Sequence, residues 1–194
     1  LTGDPSTVAE SVRVAPSNGY AEFSMSRNGT LFYGRHGGAE NWRFGWRDRA
    51  GKQLEKIGQP FRGDYRFTLS PDRRRIAYTA FSNAGTPDIW VLDLGRGLST
   101  RVTFGNRLTP AWSADGKYLY YRTAGGIHRK LADGSGDEEL LLGGIRTGFL
   151  MGGSPDGKYL LYGDGDVIKL PLSGERRPEP YLQTPYWEGG ATVS

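Results

Sequence analysis

The chain has no cysteine. Disulfides, zinc sites built on thiolates and cysteine nucleophiles are therefore excluded. Histidine is nearly missing too: His36 and His128 are the whole supply, lie far apart and show no ligand spacing, so no metal centre is expected. No stretch approaches the roughly twenty apolar residues that span a bilayer, so the segment itself is not expected to contact a membrane. The opening LTGDPSTVAESV lacks the basic and apolar regions of a signal peptide, and no targeting signal is read in the segment. Charge of one sign is scarce as well. Twenty-five Lys and Arg against twenty-one Asp and Glu give +4, and the longest basic run is Arg73–Arg75, so a nucleic-acid partner is not expected. A nucleophilic serine needs an elbow of the Gly-x-Ser-x-Gly kind, and that string does not occur.

What the chain does have is turn chemistry and aromatic residues. Thirty glycines and eleven prolines stand beside eleven tyrosines and five tryptophans, a mixture suited to many short strands joined by tight turns. One phrase occurs three times, as SPDRRRIAY from Ser70, SADGKYLYY from Ser113 and SPDGKYLLY from Ser154. A fainter copy, SRNGTLFY, starts at Ser26, and the chain ends on Ser194 where another is due; the intervals are 44, 43, 41 and 40 residues. Two features keep step with these serines. Small residues stand two positions earlier, at Ser24, Thr68, Ala111, Gly152 and Thr192, and a glycine turn recurs at Gly51, Gly95/Gly97, Gly134 and Gly174.

Within a unit, Pro presets φ, Asp bonds nearby backbone N–H groups and Gly accepts positive φ, so SPDG predicts a hairpin turn. A strand such as KYLLY follows, then a third such as DIWVLDL (88–94) and, after the glycine turn, a fourth such as STRVTF or EELLL. Four antiparallel strands repeated every 40 to 45 residues or so predict the blades of a β-propeller. The fold expected is all-β: about four complete blades plus partial blades at both ends, a fragment of a larger propeller. The divisions expected are 1–18 for an outer strand and linker, blades at 19–60, 61–105, 106–144 and 145–185, and the first strand of a further blade at 186–194. LTGD at 1–4 matches LSGE at 172–175, which suggests a chain opening inside a preceding blade. Exposed sheet edges on such a piece are expected to promote self-association.

These phrases resemble the TolB-like, WD-repeat-like propeller repeats of bacteria over nearly the whole chain. DIWVLDLGRGLSTRVTFGN, SPDGKYLLY and LPLSGERRPEPYLQTPYWEGGATVS are similar, more narrowly, to the propeller region of acidobacterial serine/threonine kinase-like proteins. That resemblance implies an extracytoplasmic sensing or interaction module, on the periplasmic or extracellular side of a bacterial membrane, with the kinase chemistry elsewhere. No Gly-rich loop with its Lys strand, no His-Arg-Asp loop and no Asp-Phe-Gly occurs here, so the segment itself is read as no enzyme. It departs from its own repeat at Arg73, which replaces the turn glycine, and at Ala114, which replaces the proline; both bear on local turn geometry. Two other roles fit the same repeats. One is the gating propeller of a prolyl-oligopeptidase-like serine hydrolase, and the other a free TolB-like periplasmic partner protein.

The acidic stretch 133–139 and the residues around Asp164 and Asp166 do not match a calcium loop, and neither a metal nor a cofactor is assigned. RGD at 62–64 and NGT at 28–30 are short strings of the kind chance supplies. Tyr33, Tyr78, Tyr121 and Tyr162 each close the second strand of a unit in one phase, which predicts inter-blade core; Trp42, Trp46, Trp90, Trp112 and Trp187 follow no such register. Loops leading into the innermost strands surround one mouth of a propeller's axial channel. There the charged residues four to eight positions before each serine, Glu22, Asp64, Arg66, Arg107, Arg146 and Glu188, are the candidate binding set for a protein or peptide partner or a small ligand.

Overall fold

The computed structural model describes the backbone at 23–25 and 31–33 and residues 42–145 and 148–184, except the side chains of 64 and 65. The chain divides into two compact units, Leu1–Tyr65 and Arg66–Ser194. In the first, β1 (Phe23–Met25), β2 (Leu31–Tyr33), β3 (Trp42–Arg47) and β4 (Gln53–Phe61) form one antiparallel sheet in chain order. The β3–β4 hairpin closes through Asp48, whose Oδ1 accepts from the Ala50 and Lys52 amides, and Gly51 takes the positive φ the turn needs. Phe44 and Ile57, register partners across this hairpin, are buried, and Phe44 packs on the Phe61 ring at 5.1 Å.

From Arg66 onward the same plan repeats. β5 (Gly63–Leu69), β6 (Arg75–Phe81), β7 (Pro87–Asp93) and β8 (Leu98–Arg101) make one sheet. β9 (Leu108–Trp112), β10 (Tyr118–Thr123), β11 (Gly126–Leu131) and β12 (Glu139–Gly143) make the next. β13 (Phe149–Gly153), β14 (Tyr159–Asp164), β15 (Asp166–Pro171) and β16 (Glu179–Leu182) make the last. In all three, strand order follows chain order, as a meander of short turns requires.

The three serine phrases fold into one repeated turn. The amide of Ser70, Ser113 or Ser154 donates to the carbonyl five residues on, and the residue three positions on donates back to the serine carbonyl. Each serine hydroxyl donates to the aspartate two residues later, at 2.5 to 2.6 Å, while accepting from the amide five residues later. The hydroxyls are thus consumed by the backbone of their own turn. Gly116 and Gly157 take φ of 68° and 71°, and Arg73 takes 60° at the same point. A non-glycine residue in that region is strained by about 1 kcal/mol, yet neither Arg73 nor Ala114 alters the turn's hydrogen bonds.

These turns make a prediction about pH. The serine hydrogen bond holds the carboxyls of Asp72, Asp115 and Asp156 below the usual aspartate range, that of Asp156 at about 2. Because the folded values are depressed, their stabilisation is complete above the unfolded value near 3.8 and is lost as pH falls through the folded values, for Asp156 toward about 2. The urea midpoint is expected to be flat between about pH 5 and 7 and to drop below about pH 4, less steeply in Ser154→Ala. An equally steep drop in that variant would remove the turn from the explanation.

Side chains alternate along the strands, so β10 serves two interfaces. Leu119 and Tyr121 join Ala77, Ile89, Val91, Val102, Trp112 and Ala132 between the β5–β8 and β9–β12 sheets. Tyr120 joins Ala111, Ile127, Leu141, Leu160, Tyr162 and Leu170 between the β9–β12 and β13–β16 sheets. Tyr78, Tyr121 and Tyr162 are buried as expected, while the side chain of Tyr33 lies outside the described residues. They do not close their strands, however. β6, β10 and β14 run on to Phe81, Thr123 and Asp164, because pairing with the next strand continues, as in Thr79↔Ile89 through Phe81↔Pro87.

Candidate functional site

Among the described residues, those leading into β9 and β13 carry glycines with positive φ, at Gly105 and at Gly144 and Gly148. Gly105 and Asn106 have φ of 95° and 58°, and Thr109, a β-branched residue ahead of Pro110, has 54°. This follows from a bulge: Ala111 pairs with Tyr120 but Leu108 with Arg122, leaving Thr109 and Pro110 opposite Tyr121. β13 shows a comparable shift between Leu150 and Gly152. Gly148 is required in its place, since a Cβ there would come within 1.6 Å of the Gly163 carbonyl oxygen.

Of the six residues expected at the mouth, Glu22, Arg146 and Glu188 lie outside the described residues, as does the side chain of Asp64. Arg66 and Arg107 remain, and they are used differently. Arg66, on β5, carries its guanidinium carbon 5.7 Å from the ring centroid of Phe149 on β13. A cation is thus set over an aromatic face between innermost strands that belong to non-consecutive sheets. Gly163 is the register partner of Phe149, and a Cβ there would crowd Met151 Cε at 2.9 Å while only touching the Phe149 ring at 3.6 Å.

Arg107 is clamped instead. Its amide donates to the Pro87 carbonyl at 2.9 Å, and its Nε and Nη2 donate to the two carboxylate oxygens of Glu138 at 3.2 and 2.8 Å. Its Nη1 donates to the Gly105 carbonyl. Burial pushes the Glu138 carboxyl up, but the hydrogen bond and positive charge of Arg107 outweigh it, and Glu138 lies below the usual range. Tyr121 is raised, chiefly by burial and next by the Glu138 charge. Its hydroxyl and those of Thr79 and Thr109 are buried and make no hydrogen bond of good geometry among the described residues. His128 lies parallel to the Tyr121 ring at 6.2 Å. The Arg107 fork therefore serves the packing of its own region more than an open mouth.

Phe149, the aromatic partner of Arg66, is not among the charged residues that the sequence offers for this window. The signal was present: Phe149 stands five positions before Ser154, inside the interval that supplied the charged set. Asp88 was missed as well. It is buried, accepts from the Gly105 amide at 2.6 Å and pairs with Arg101, fixing the link between β8 and β9. Of the acidic residues set aside for calcium, Asp133 accepts from the Ser135 amide and hydroxyl, and Asp166 accepts from the Gln183 amide group.

Among solved structures the chain is similar to the Agrobacterium tumefaciens protein assigned as TolB, with a TM-score of 0.67 and 19% identity, over 82% of this chain and 63% of that one. It is similar to TolB of Acinetobacter baumannii, with a TM-score of 0.66 and 21% identity, over 82% of this chain and 42% of that one. A structure from a study of two prolyl endopeptidases matches with a TM-score of 0.55 and 21% identity, over 84% of this chain and 29% of that one. The chain thus spans less than two thirds of each of these proteins. At such identities the likeness concerns the fold, and the four sheets are blades of TolB-like β-propeller type. No family model and no curated protein matches the sequence.

Proposed function

We propose that this segment is a non-catalytic binding module that takes a protein or peptide segment, or a small ligand, at the approach to its innermost strands. The observation that carries the reading is Arg66 held over Phe149: a cation and an aromatic face, brought together from separate blades, form a contact pair for a carboxylate or an extended peptide. Propellers host many functions, so the reading rests on this pair and not on the fold. In its finer form, supported by the resemblance of the DIWVLDL and LPLSGERRPEPYLQTPYW phrases, the module is the extracytoplasmic sensing region of a bacterial serine/threonine kinase-like protein.

Two experiments test it. A library of labelled dodecapeptides screened by fluorescence anisotropy is expected to yield binders whose affinity falls about tenfold in Arg66→Ala, the loss of one charge-assisted contact. Unchanged affinity would move the site elsewhere. Sequencing the coding DNA on both sides separates the finer readings. A kinase domain and one apolar helix of roughly twenty residues upstream supports the sensor. A Gly-x-Ser-x-Gly hydrolase domain downstream overturns it in favour of a gate, and a signal peptide with a small domain upstream does so in favour of a periplasmic partner.

A further inference from the structure

At its first turn the β5–β8 sheet is more positive than its siblings: Arg73 and Arg75 stand where they have Gly and Tyr, and Arg74 where they have Lys117 and Lys158. Arg73 occupies the left-handed position that Gly116 and Gly157 take without strain. Arg74 follows it, and the Arg74 carbonyl accepts the Leu94 amide at 2.9 Å, which lays the β5–β6 turn against the β7–β8 turn carrying Arg96. All three arginines are exposed, and no ion pair within 4.0 Å engages them among the described residues. The neighbouring carboxylates have partners of their own: Asp72 accepts from Ser70 Oγ and the Arg74 amide and lies 3.8 Å from Arg75 Nη2, and Asp93 accepts from the Gly95 and Arg96 amides. Arg75, by contrast, is spent on the Trp112 ring and the Gly116 carbonyl.

Beside this cluster runs an open strand edge. β8 is the last strand of its sheet, its residues 98–100 are exposed, and Leu98, next to the turn, is 66% exposed. The outermost strand of a sheet, with an exposed apolar side chain and exposed cations at one end, matches the needs of one partner class. We propose that the outer edge of the β5–β8 sheet is a docking strand for an extended, acidic-ended peptide of a partner protein. The peptide adds antiparallel to β8, covers Leu98 and places its C-terminal carboxylates over Arg73, Arg74 and Arg96. Charge complementarity chooses the acidic peptide, and the strained arginine explains itself as a residue kept for binding at the expense of its turn. This surface lies at the far end of β5 and β6 from the approach to the innermost strands, and it stands or falls independently of the pair at Arg66.

The probe is fluorescein-labelled Thr-Val-Thr-Val-Glu-Glu-Glu, titrated with the whole chain and read by anisotropy. Saturable binding is expected, weakened about tenfold in the Arg74→Gln/Arg96→Gln double variant and by raising salt from 0.05 to about 0.5 M. Arg73→Gly is expected to weaken binding several-fold while raising the urea midpoint, an opposition that a purely structural arginine would not show. N-methylation of two adjacent residues, a valine and the threonine that follows it, is expected to abolish binding, because one of the two amides faces β8 in either register. No saturable binding, equal affinity in the double variant, or equal affinity for the N-methylated peptide would each overturn the proposal. So would binding to phosphatidylserine vesicles or inorganic phosphate without binding to the peptide, which would make the cluster an anion site.

Discussion

Trp112→Ala is expected to lower the unfolding free energy by about 3–5 kcal/mol, a large part of what a domain of this size possesses. Trp112 lies on β9 and is buried among Ala77, Ile89, Val91, Leu119 and Tyr121. Its indole Nε1 donates to the Thr68 carbonyl on β5 at 3.1 Å, and the Arg75 guanidinium carbon sits 4.7 Å from its ring. Truncation removes the largest apolar group of that interface, orphans a carbonyl and leaves a cation without its aromatic face. The next interface is built the other way: the matching position is Gly153, where a Cβ would lie 3.2 Å from the Trp112 carbonyl oxygen. Neighbouring repeats therefore offer no spare bulk to fill the hole. Trp112→Phe keeps most of the volume and loses the hydrogen bond, so it is expected to cost about 1–2 kcal/mol. Urea unfolding followed by far-UV circular dichroism measures both, and a loss below about 1 kcal/mol in the alanine variant would show that β9 is not held by this residue.

Asp88→Ala is expected to cost about 3 kcal/mol and to loosen the link from β8 to β9. The carboxylate, 1% exposed, accepts from the Gly105 amide at 2.6 Å and from Thr103 Oγ1 at 3.4 Å, and pairs with Arg101. Thr103 Oγ1 in turn accepts from the Ile89 amide at 2.9 Å. The figure sits at the low end for a broken buried pair because the Arg101 side chain is 33% exposed and can be resolvated. Its guanidinium also lies over the Phe104 ring, a contact that survives the change. Asp88→Asn keeps the shape and part of the hydrogen bonding, and about half the loss is expected. Hydrogen exchange separates a local role from a global one: faster exchange at Gly105 and Ile89, with β10 and β11 protected as before, is the expected pattern. Uniform acceleration across the sheet would place Asp88 in the core of the fold and not in its linkage.

Local chemistry made much of this chain legible without coordinates. The Ser-Pro-Asp-Gly turns, their spacing, the alternation that buries Tyr78, Tyr121 and Tyr162, and the small residues at Thr68, Ala111 and Gly152 all express interactions within a few residues or one strand pair. Such patterns survive in sequence because each repeat solves the same local problem. Even Arg73 was legible as a break in the pattern, although only its φ of 60° shows that the turn was kept and the strain accepted. What the tertiary structure decided are pairings between distant stretches of chain, within a sheet and between sheets. Arg66 meets Phe149 across 83 positions, Arg107 meets Glu138 across 31, and Trp112 reaches Thr68 across 44. Arg66 and Arg107 look equivalent in sequence, yet one lies over a ring and the other is locked to a carboxylate. The difference lies in what each long side chain reaches once the strands are packed: Arg66 the Phe149 ring of a non-consecutive sheet, Arg107 the Glu138 carboxylate of its own sheet. A repeat specifies the strand and its turn; the angle between neighbouring sheets, set by all the side chains packed between them, specifies which charges meet.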